Sequence, residues 1–118
     1  MALPFRRSGP RALEKQVQAD VVRLYQTFAC TVHNLSQPRA TMQTEGLPDL
    51  YVQHLKSGTT WWHECKRPGG KLSAHQAAFR DREAKCRRTV VVGGVQEAKV
   101  MLAMLGLIIQ ATPMEVSR

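Results

Sequence analysis

The strongest constraint on the fold is a pair of neighbouring segments that both have the composition of β-strands. Residues 47–56 and 59–67 are rich in aromatic, β-branched and apolar residues, as strands usually are. Between them stands Ser57-Gly58, a dipeptide typical of tight turns. The sequence therefore predicts an antiparallel β-hairpin.

The register of this hairpin decides which side chains meet. A two-residue turn at Ser57-Gly58 predicts that Asp49 lies opposite Lys66 and that Glu64 lies opposite Tyr51. Because strand side chains alternate, these four residues then share one face of the sheet. The other face is predicted to carry Leu50, Val52, His63 and Cys65. A slip of one residue would exchange the two faces.

The rest of the chain predicts an α/β domain with a mixed central sheet flanked by helices. The predicted order is αβββαβα: helix 10–29, strand 30–35, strands 47–56 and 59–67, helix 73–87, strand 89–92 and helix 95–105. A helix between the third and fourth strands favours a parallel pair joined by a crossover. We expect a flexible basic arm (1–10), a single domain (11–111) and a tail (112–118).

Charge narrows the class of partner. The chain has 17 Lys and Arg against 9 Asp and Glu, a formal net charge of +8, which favours a polyanion such as nucleic acid. The alternative is a solvated basic face that only keeps the protein in solution.

Three widely spaced cysteines fit neither a disulfide framework nor a zinc site. With no apolar signal or membrane-length segment, we expect a cytoplasmic protein without membrane association.

Asp49, Glu64 and Lys66 form the candidate catalytic centre. Two carboxylates suit Mg²⁺, which takes few protein ligands and keeps several waters, and the backbone carbonyl of Cys65 can add a third oxygen. This combination suits hydrolysis of a phosphodiester bond. In that reaction Lys66 would orient the attacking water or stabilise the negative charge on the phosphate. The alternative is that Asp49 and Lys66 form an ordinary cross-strand ion pair at the surface, with no catalytic role.

Two further residues have competing explanations. Glu14 lies at the flank of the first helix's apolar stripe, where it can complete the metal shell through a water or pair with Lys15 or Arg11 at the surface. Gln76 can hold a water or phosphate oxygen in the site. It can instead close a capping box with Ser73 at the start of the second helix.

Basic residues supply the predicted DNA contacts. Arg80 and Arg87 are spaced to share a helical face, which suits phosphate binding, although solvation alone also explains them. The long polar loop 36–46 contains Arg39 and is expected to contact substrate. The complete predicted set is Arg39, Arg67, Lys71, Arg80 and Arg87.

These motifs together resemble a known family. Gly46-Leu47-Pro48-Asp49-Leu50, then His63-Glu64-Cys65-Lys66-Arg67-Pro68-Gly69-Gly70, then Leu72-Ser73-Ala74-His75-Gln76 are similar to the G-x-P-D-L, E-x-K and L-S-x-x-Q elements of the VRR-NUC family. That family is a branch of the PD-(D/E)XK nucleases. The likeness extends over nearly the whole chain, although Cys65 is less usual than an aliphatic residue between Glu64 and Lys66.

The resemblance implies a fold and an activity. It implies a restriction-endonuclease-like core and cleavage of DNA that depends on Mg²⁺, with Mn²⁺ substituting. It assigns metal binding to Asp49 and Glu64, catalysis to Lys66, a site role to Gln76, and the first-helix acid to Glu14. Stand-alone phage or bacterial members of this size act as homodimers on branched DNA, four-way (Holliday) junctions included, and need no organic cofactor.

Other functions stay open from the sequence. The chain can be a catalytically silent DNA-binding subunit with the same fold and basic surface. It can also be a nuclease that acts on flaps, on ends or on RNA. The intact set of Asp49, Glu64 and Lys66 favours an active enzyme over a silent copy.

Overall fold

A computed structural model describes residues 10–36 and 44–109. The elements are α1 (Pro10–Thr27), β1 (Thr31–Asn34), β2 (Leu50–His54), β3 (Thr59–Cys65), α2 (Ala74–Lys85), β4 (Val90–Gly93) and α3 (Val95–Met104). The predicted αβββαβα order is confirmed. The basic arm, the tail, and Arg39 lie outside the described residues, apart from Pro10, where α1 begins.

The four strands form one mixed sheet in the order β1-β2-β3-β4. β2 is antiparallel to both β1 and β3, and β4 is parallel to β3. The predicted parallel fourth strand is therefore confirmed, with α2 in the connection between β3 and β4.

Within the described segments, no helix has the length and apolar character needed to cross a membrane.

One face of the sheet, here called the core face, is sealed by helices α1 and α3. Leu50, Val52, Trp61 and Cys65 of this face are at most 1% exposed. They pack with helix residues in a single cluster, whose buried helical members are Val21, Tyr25, Ala98, Met101 and Leu102. Burial of this apolar area is the main favourable term for the fold. Cys65 points into this cluster, as predicted.

The opposite face, here called the site face, carries the alternate residues of the same strands. Along β2 the burial alternates between fully buried residues and half-buried Tyr51 and Gln53. On β3 the site face carries Thr60, Trp62 and Glu64, which follow from their pairing with β2. α2 packs over this face through Phe79, whose ring meets Trp62 at 5.3 Å between centroids.

The predicted register of the hairpin is wrong by two residues. Tyr51 pairs with Trp62, and Leu50 pairs with His63. The turn is longer than predicted because the His54 carbonyl accepts a hydrogen bond from Gly58 at 2.9 Å, and the His54 ring bonds the Ser57 hydroxyl at 2.7 Å. Since the error equals the two-residue period of a strand, the predicted division of side chains between the faces is unchanged.

Helix α2 ends earlier than predicted, which changes the position of Arg87. The helix stops at Lys85. Arg87 follows in a left-handed conformation with φ of 61°, and Arg88 donates its backbone N–H to the Glu83 carbonyl at 2.8 Å. Together with the 3.0 Å hydrogen bond from the Arg87 N–H to the Ala84 carbonyl, this bond forms a Schellman-type helix end. Arg87 therefore does not share a helical face with Arg80, contrary to the prediction.

Candidate active site

The corrected register brings the two predicted carboxylates together. Extending the β2–β3 pairing by one residue pair beyond Leu50 and His63 sets Asp49 directly opposite Glu64. Asp49 is fixed there because its Oδ2 accepts a hydrogen bond from the Cys65 backbone N–H at 2.9 Å. Glu64 is only 4% exposed. Two acidic side chains thus meet at the end of the hairpin, largely out of water.

Gly46 explains how the chain reaches this position. Its φ is +86°, a left-handed conformation that glycine adopts without strain. A Cβ at Gly46 would collide with the backbone carbonyl of His75 in the first turn of α2. Glycine therefore lets the segment before Asp49 lie directly against the start of α2, the helix that carries Gln76.

Burial and mutual repulsion make the carboxyl pair hard to ionise completely. Burial, followed by the charge of Asp49, raises the pKa of Glu64 from its ordinary 4.5 to about 8, despite the opposing charge of Lys66. Burial also raises the pKa of Asp49, while the hydrogen bond from the Cys65 backbone lowers it. Without a cation, Glu64 is thus the member of the pair that holds a proton near neutral pH.

Gln76 combines the two roles that the sequence set against each other. Its Oε1 accepts a hydrogen bond from the Ser73 backbone N–H at 2.8 Å, and the Ser73 hydroxyl accepts one from the Gln76 backbone N–H at 3.1 Å. This is the predicted capping box. The other end of the same amide, Nε2, donates to Glu64 Oε2 at 3.1 Å. The cap therefore orients the amide group that contacts Glu64.

Lys66 reaches the same carboxylate oxygen. Its Nζ lies 3.7 Å from Glu64 Oε2, and its side chain is only 13% exposed. Lys66 also borders a cleft of about 480 Å³ between the glycine turn Pro68–Gly70 and the glycines Gly93 and Gly94. Lys66 is therefore a residue of both the carboxylate site and the lining of this cleft.

The arrangement suits a hard divalent cation. Glu64 Oε1 is buried and has no hydrogen-bond partner within residues 10–36 and 44–109, an unusual cost for a buried acidic oxygen. A cation between Asp49 and Glu64 would satisfy that oxygen and remove the repulsion that raises the pKa of Glu64. Two carboxylates and a backbone carbonyl are a ligand set that Mg²⁺ commonly uses.

Glu14 lies near this pair without joining it as a third side-chain ligand. Its charge contributes to the raised pKa of both Asp49 and Glu64. In the part of the chain that is described, no three His, Cys, Asp or Glu side chains form a metal-binding group. A water-mediated role for Glu14 stays a prediction.

The predicted DNA-binding residues do not form one cluster. Arg67 lines the cleft beside Lys66, and its Nε is buried without a hydrogen-bond partner among the described residues. Lys71, Arg80 and Arg87 are exposed, and Arg80 lies 3.5 Å from Asp81. Of the four described members, only Arg67 lines the same cleft as Lys66.

Aromatic residues lie beside the carboxylates; the sequence placed Tyr51 on this face without a role and did not identify Trp62. Tyr51 and Trp62 are two residues along their strands from Asp49 and Glu64 and pack at 4.7 Å between ring centroids. His33 of β1 stacks on Tyr51 at 6.0 Å. The two-residue period that grouped the acids also places Tyr51 and Trp62 on the site face, and this was the available signal.

Comparison with known proteins agrees with this geometry. A solved structure described as a VRR_NUC domain matches the chain with a TM-score of 0.60 and 27% sequence identity, over 77% of this chain and 94% of that one. No protein-family model matches the chain, and no curated protein matches it significantly. The structural match supports assignment of the chain to the VRR-NUC family and indicates a nuclease domain with a restriction-endonuclease-like fold.

Proposed function

We propose that the protein is a Mg²⁺-dependent endonuclease that hydrolyses phosphodiester bonds in branched DNA. The observation that carries this proposal is the buried pair of Asp49 and Glu64, with Lys66 and Gln76 both on Glu64 Oε2. The likeness to a VRR_NUC domain structure and the net charge of +8 support DNA as the substrate.

Each residue has a distinct task in this proposal. Asp49, Glu64 and the Cys65 carbonyl would hold Mg²⁺ or Mn²⁺, and the metal, when bound, supplies charge neutralisation and a more acidic water. The Cys65 N–H keeps Asp49 in place, and Gln76 keeps Glu64 in place. Lys66 stabilises the negative charge that builds up on the phosphate.

A homodimer would allow two symmetric cuts in a four-way junction, because each chain has one such site. Two features support a dimer surface on α3 and the adjacent edge of the sheet. β4 is an edge strand, and Val100 and Met104 of α3 are 47% and 73% exposed. Leu107 and Ile108, which follow α3, pack against the core and do not extend this surface, whereas Ile109 is exposed.

Cleavage of labelled DNA tests the activity. Four-way junction, flap, linear duplex and single-stranded DNA would be incubated with Mg²⁺, Mn²⁺ or EDTA. We expect metal-dependent, paired nicks in the junction. Asp49→Asn should reduce the rate by roughly a thousandfold or more, because metal-ion stabilisation is worth several kcal/mol, while DNA binding is largely kept.

A matched control makes the same chemical change elsewhere. Asp81→Asn alters an exposed carboxylate on α2 and should leave cleavage unchanged. Cutting by Asp49→Asn at the wild-type rate would refute the site. Cutting of flaps or ends alone would keep the chemistry and change the substrate, and tight binding without cutting of any DNA would favour a silent DNA-binding subunit.

A further inference from the structure

An aromatic surface lies next to the carboxylates on the site face. It consists of His33 on β1, Tyr51 on β2 and Trp62 on β3, which are cross-strand neighbours. The rings form a continuous row: His33 stacks on Tyr51 with planes 29° apart, and Tyr51 contacts Trp62. His33 is exposed, and Tyr51 and Trp62 are partly exposed.

The two ends of this row differ in their support. Trp62 is held from α2, because its Nε1 donates to Glu83 at 2.7 Å and its ring meets Phe79 edge-on. At the other end, the contacts of His33 with described residues lie within the sheet: Tyr51, and Gln53 through a 2.8 Å hydrogen bond. The row therefore has a fixed base under α2 and exposed rings towards β1.

A guanidinium group lies beside the row, close to one carboxylate. Arg88 donates to the Thr60 hydroxyl at 2.7 Å, and Thr60 and Arg88 together lower the pKa of the nearby Tyr51. Glu83 is the acid at this position, and it is already engaged by Trp62 and Arg88. A nucleic-acid strand would meet aromatic faces and a guanidinium group here.

The position of the row relates it to the site. The Tyr51–Trp62 pair is two residues from Asp49 and Glu64 along the same strands, about 7 Å at the usual strand rise. A nucleotide adjacent to the cleaved phosphate can reach across that distance. In duplex DNA its base would be paired and stacked, so only an unpaired base can lie flat on the rings.

We propose that His33 and Tyr51 stack an unpaired base of DNA next to the cleaved phosphodiester, and so select DNA with an opened or single-stranded segment. The inference rests on the proposed nuclease function and specifies its substrate. Aromatic stacking of this kind tolerates any base, since every base has a π-face. The surface would therefore recognise the structure of the DNA and not its sequence.

Fluorescence of 2-aminopurine tests the stacking directly. The probe would be placed at single positions in single-stranded and forked DNA, in EDTA so that no cleavage occurs. Wild-type protein should quench it at one or two positions near the branch. Tyr51→Leu should abolish that quenching and weaken binding to single-stranded DNA by about tenfold, with a smaller effect on fully paired duplex.

Two variants separate stacking from a loss of structure. Tyr51→Phe keeps the ring and should keep the quenching. His33→Ala changes an exposed side chain, so its melting temperature should stay close to wild type while quenching falls. Quenching that persists in both Tyr51→Leu and His33→Ala would overturn the proposal, as would equal loss of affinity for duplex and single strands.

The test also distinguishes this inference from the proposed function. Cleavage with Mg²⁺ would be measured in parallel on the same DNA. Cleavage without quenching would overturn the stacking and leave the nuclease function intact. Quenching without cleavage would overturn the nuclease function and leave the stacking intact. Tighter binding to the matched RNA strand than to DNA would overturn the assignment of DNA as the ligand.

Discussion

The two faces of the sheet bury polar groups in opposite ways. On the core face, His63 is fully buried, and its Nδ1 accepts a hydrogen bond from the Tyr25 hydroxyl at 2.7 Å while its Nε2 donates to the Gly93 carbonyl at 3.0 Å. On the site face, Glu64 is almost as buried, yet it opposes another carboxyl group, and one of its oxygens has no hydrogen-bond partner in the described part of the chain.

The difference separates structural from functional burial. Burial lowers the pKa of His63 from its ordinary 6.5 to about 4, so this ring is neutral and both of its nitrogens are satisfied. Burial raises the pKa of Glu64 to about 8, and nothing among the described residues compensates it completely. A buried acid kept at such a cost to stability is expected at a site that binds a cation.

The largest expected effect comes from replacing Glu64 with its neutral isostere. Glu64→Gln should reduce cleavage by roughly a thousandfold, since it removes one of two metal-binding carboxylates. The same variant should be more stable than wild type in EDTA above pH 8, because it no longer ionises a buried group. Activity and thermal unfolding measured on one preparation check both, and a variant that is less stable at pH 9 would contradict the unpaired burial of Glu64.

The pH dependence of stability should divide between the two faces. The folded pKa of Glu64 is above its ordinary value, so in EDTA stability falls as pH rises from about 5 through 8. The folded pKa of His63 is below its ordinary value, so stability falls as pH drops from about 6.5 towards 4. Each pKa unit corresponds to about 1.4 kcal/mol.

Urea unfolding from pH 4 to pH 9 measures both slopes. Glu64→Gln should flatten the alkaline slope alone, and His63→Gln should flatten the acidic slope alone. Saturating Mg²⁺ should restore stability at pH 8 more than at pH 6, because the cation binds the ionised carboxylates. An equal effect of Mg²⁺ at both values would argue against binding at Glu64.

A smaller effect should separate the two roles of Gln76. Gln76→Glu keeps an acceptor for the Ser73 N–H, so the capping box should persist. It replaces the donor to Glu64 with a third carboxyl group, so cleavage should fall by about tenfold, and the melting temperature in EDTA should fall as well because the carboxylates repel each other. Gln76→Ala should lose the same activity and also about 1 kcal/mol of stability. Full activity in Gln76→Glu would reduce Gln76 to a helix cap.

The smallest effect should come from a substitution at Ala29, which follows α1 and lies outside the sheet. Ala29 follows the helix with φ of 62°, a conformation that costs non-glycine residues roughly 1–2 kcal/mol. Ala29→Gly should stabilise the protein by up to about 1 kcal/mol, with no change in cleavage. Guanidinium unfolding would detect this gain, and a loss of stability would show that unfolded-state entropy outweighs the strain.

Local sequence signals predicted the elements because each depends on neighbours in the chain. The Ser73–Gln76 spacing predicted the start of α2. The end of α2 was placed too late, since the Schellman bonds of Arg87 and Arg88 need a left-handed residue and no glycine marks it. The turn after His54 was judged too short for a similar reason: side-chain bonds of Ser57 extend it.

Which residues share a face could be read from the sequence, because alternation along a strand has a period of two and survives a register error of two. The predicted register grouped Asp49, Glu64 and Lys66 on one face, although it paired them incorrectly. The folded structure was needed to show that Asp49 opposes Glu64, that one Gln76 side chain serves both the cap and the site, and that the aromatic rings of three strands form one row. These facts depend on distances between segments far apart in the chain, which periodicity and local propensity do not contain.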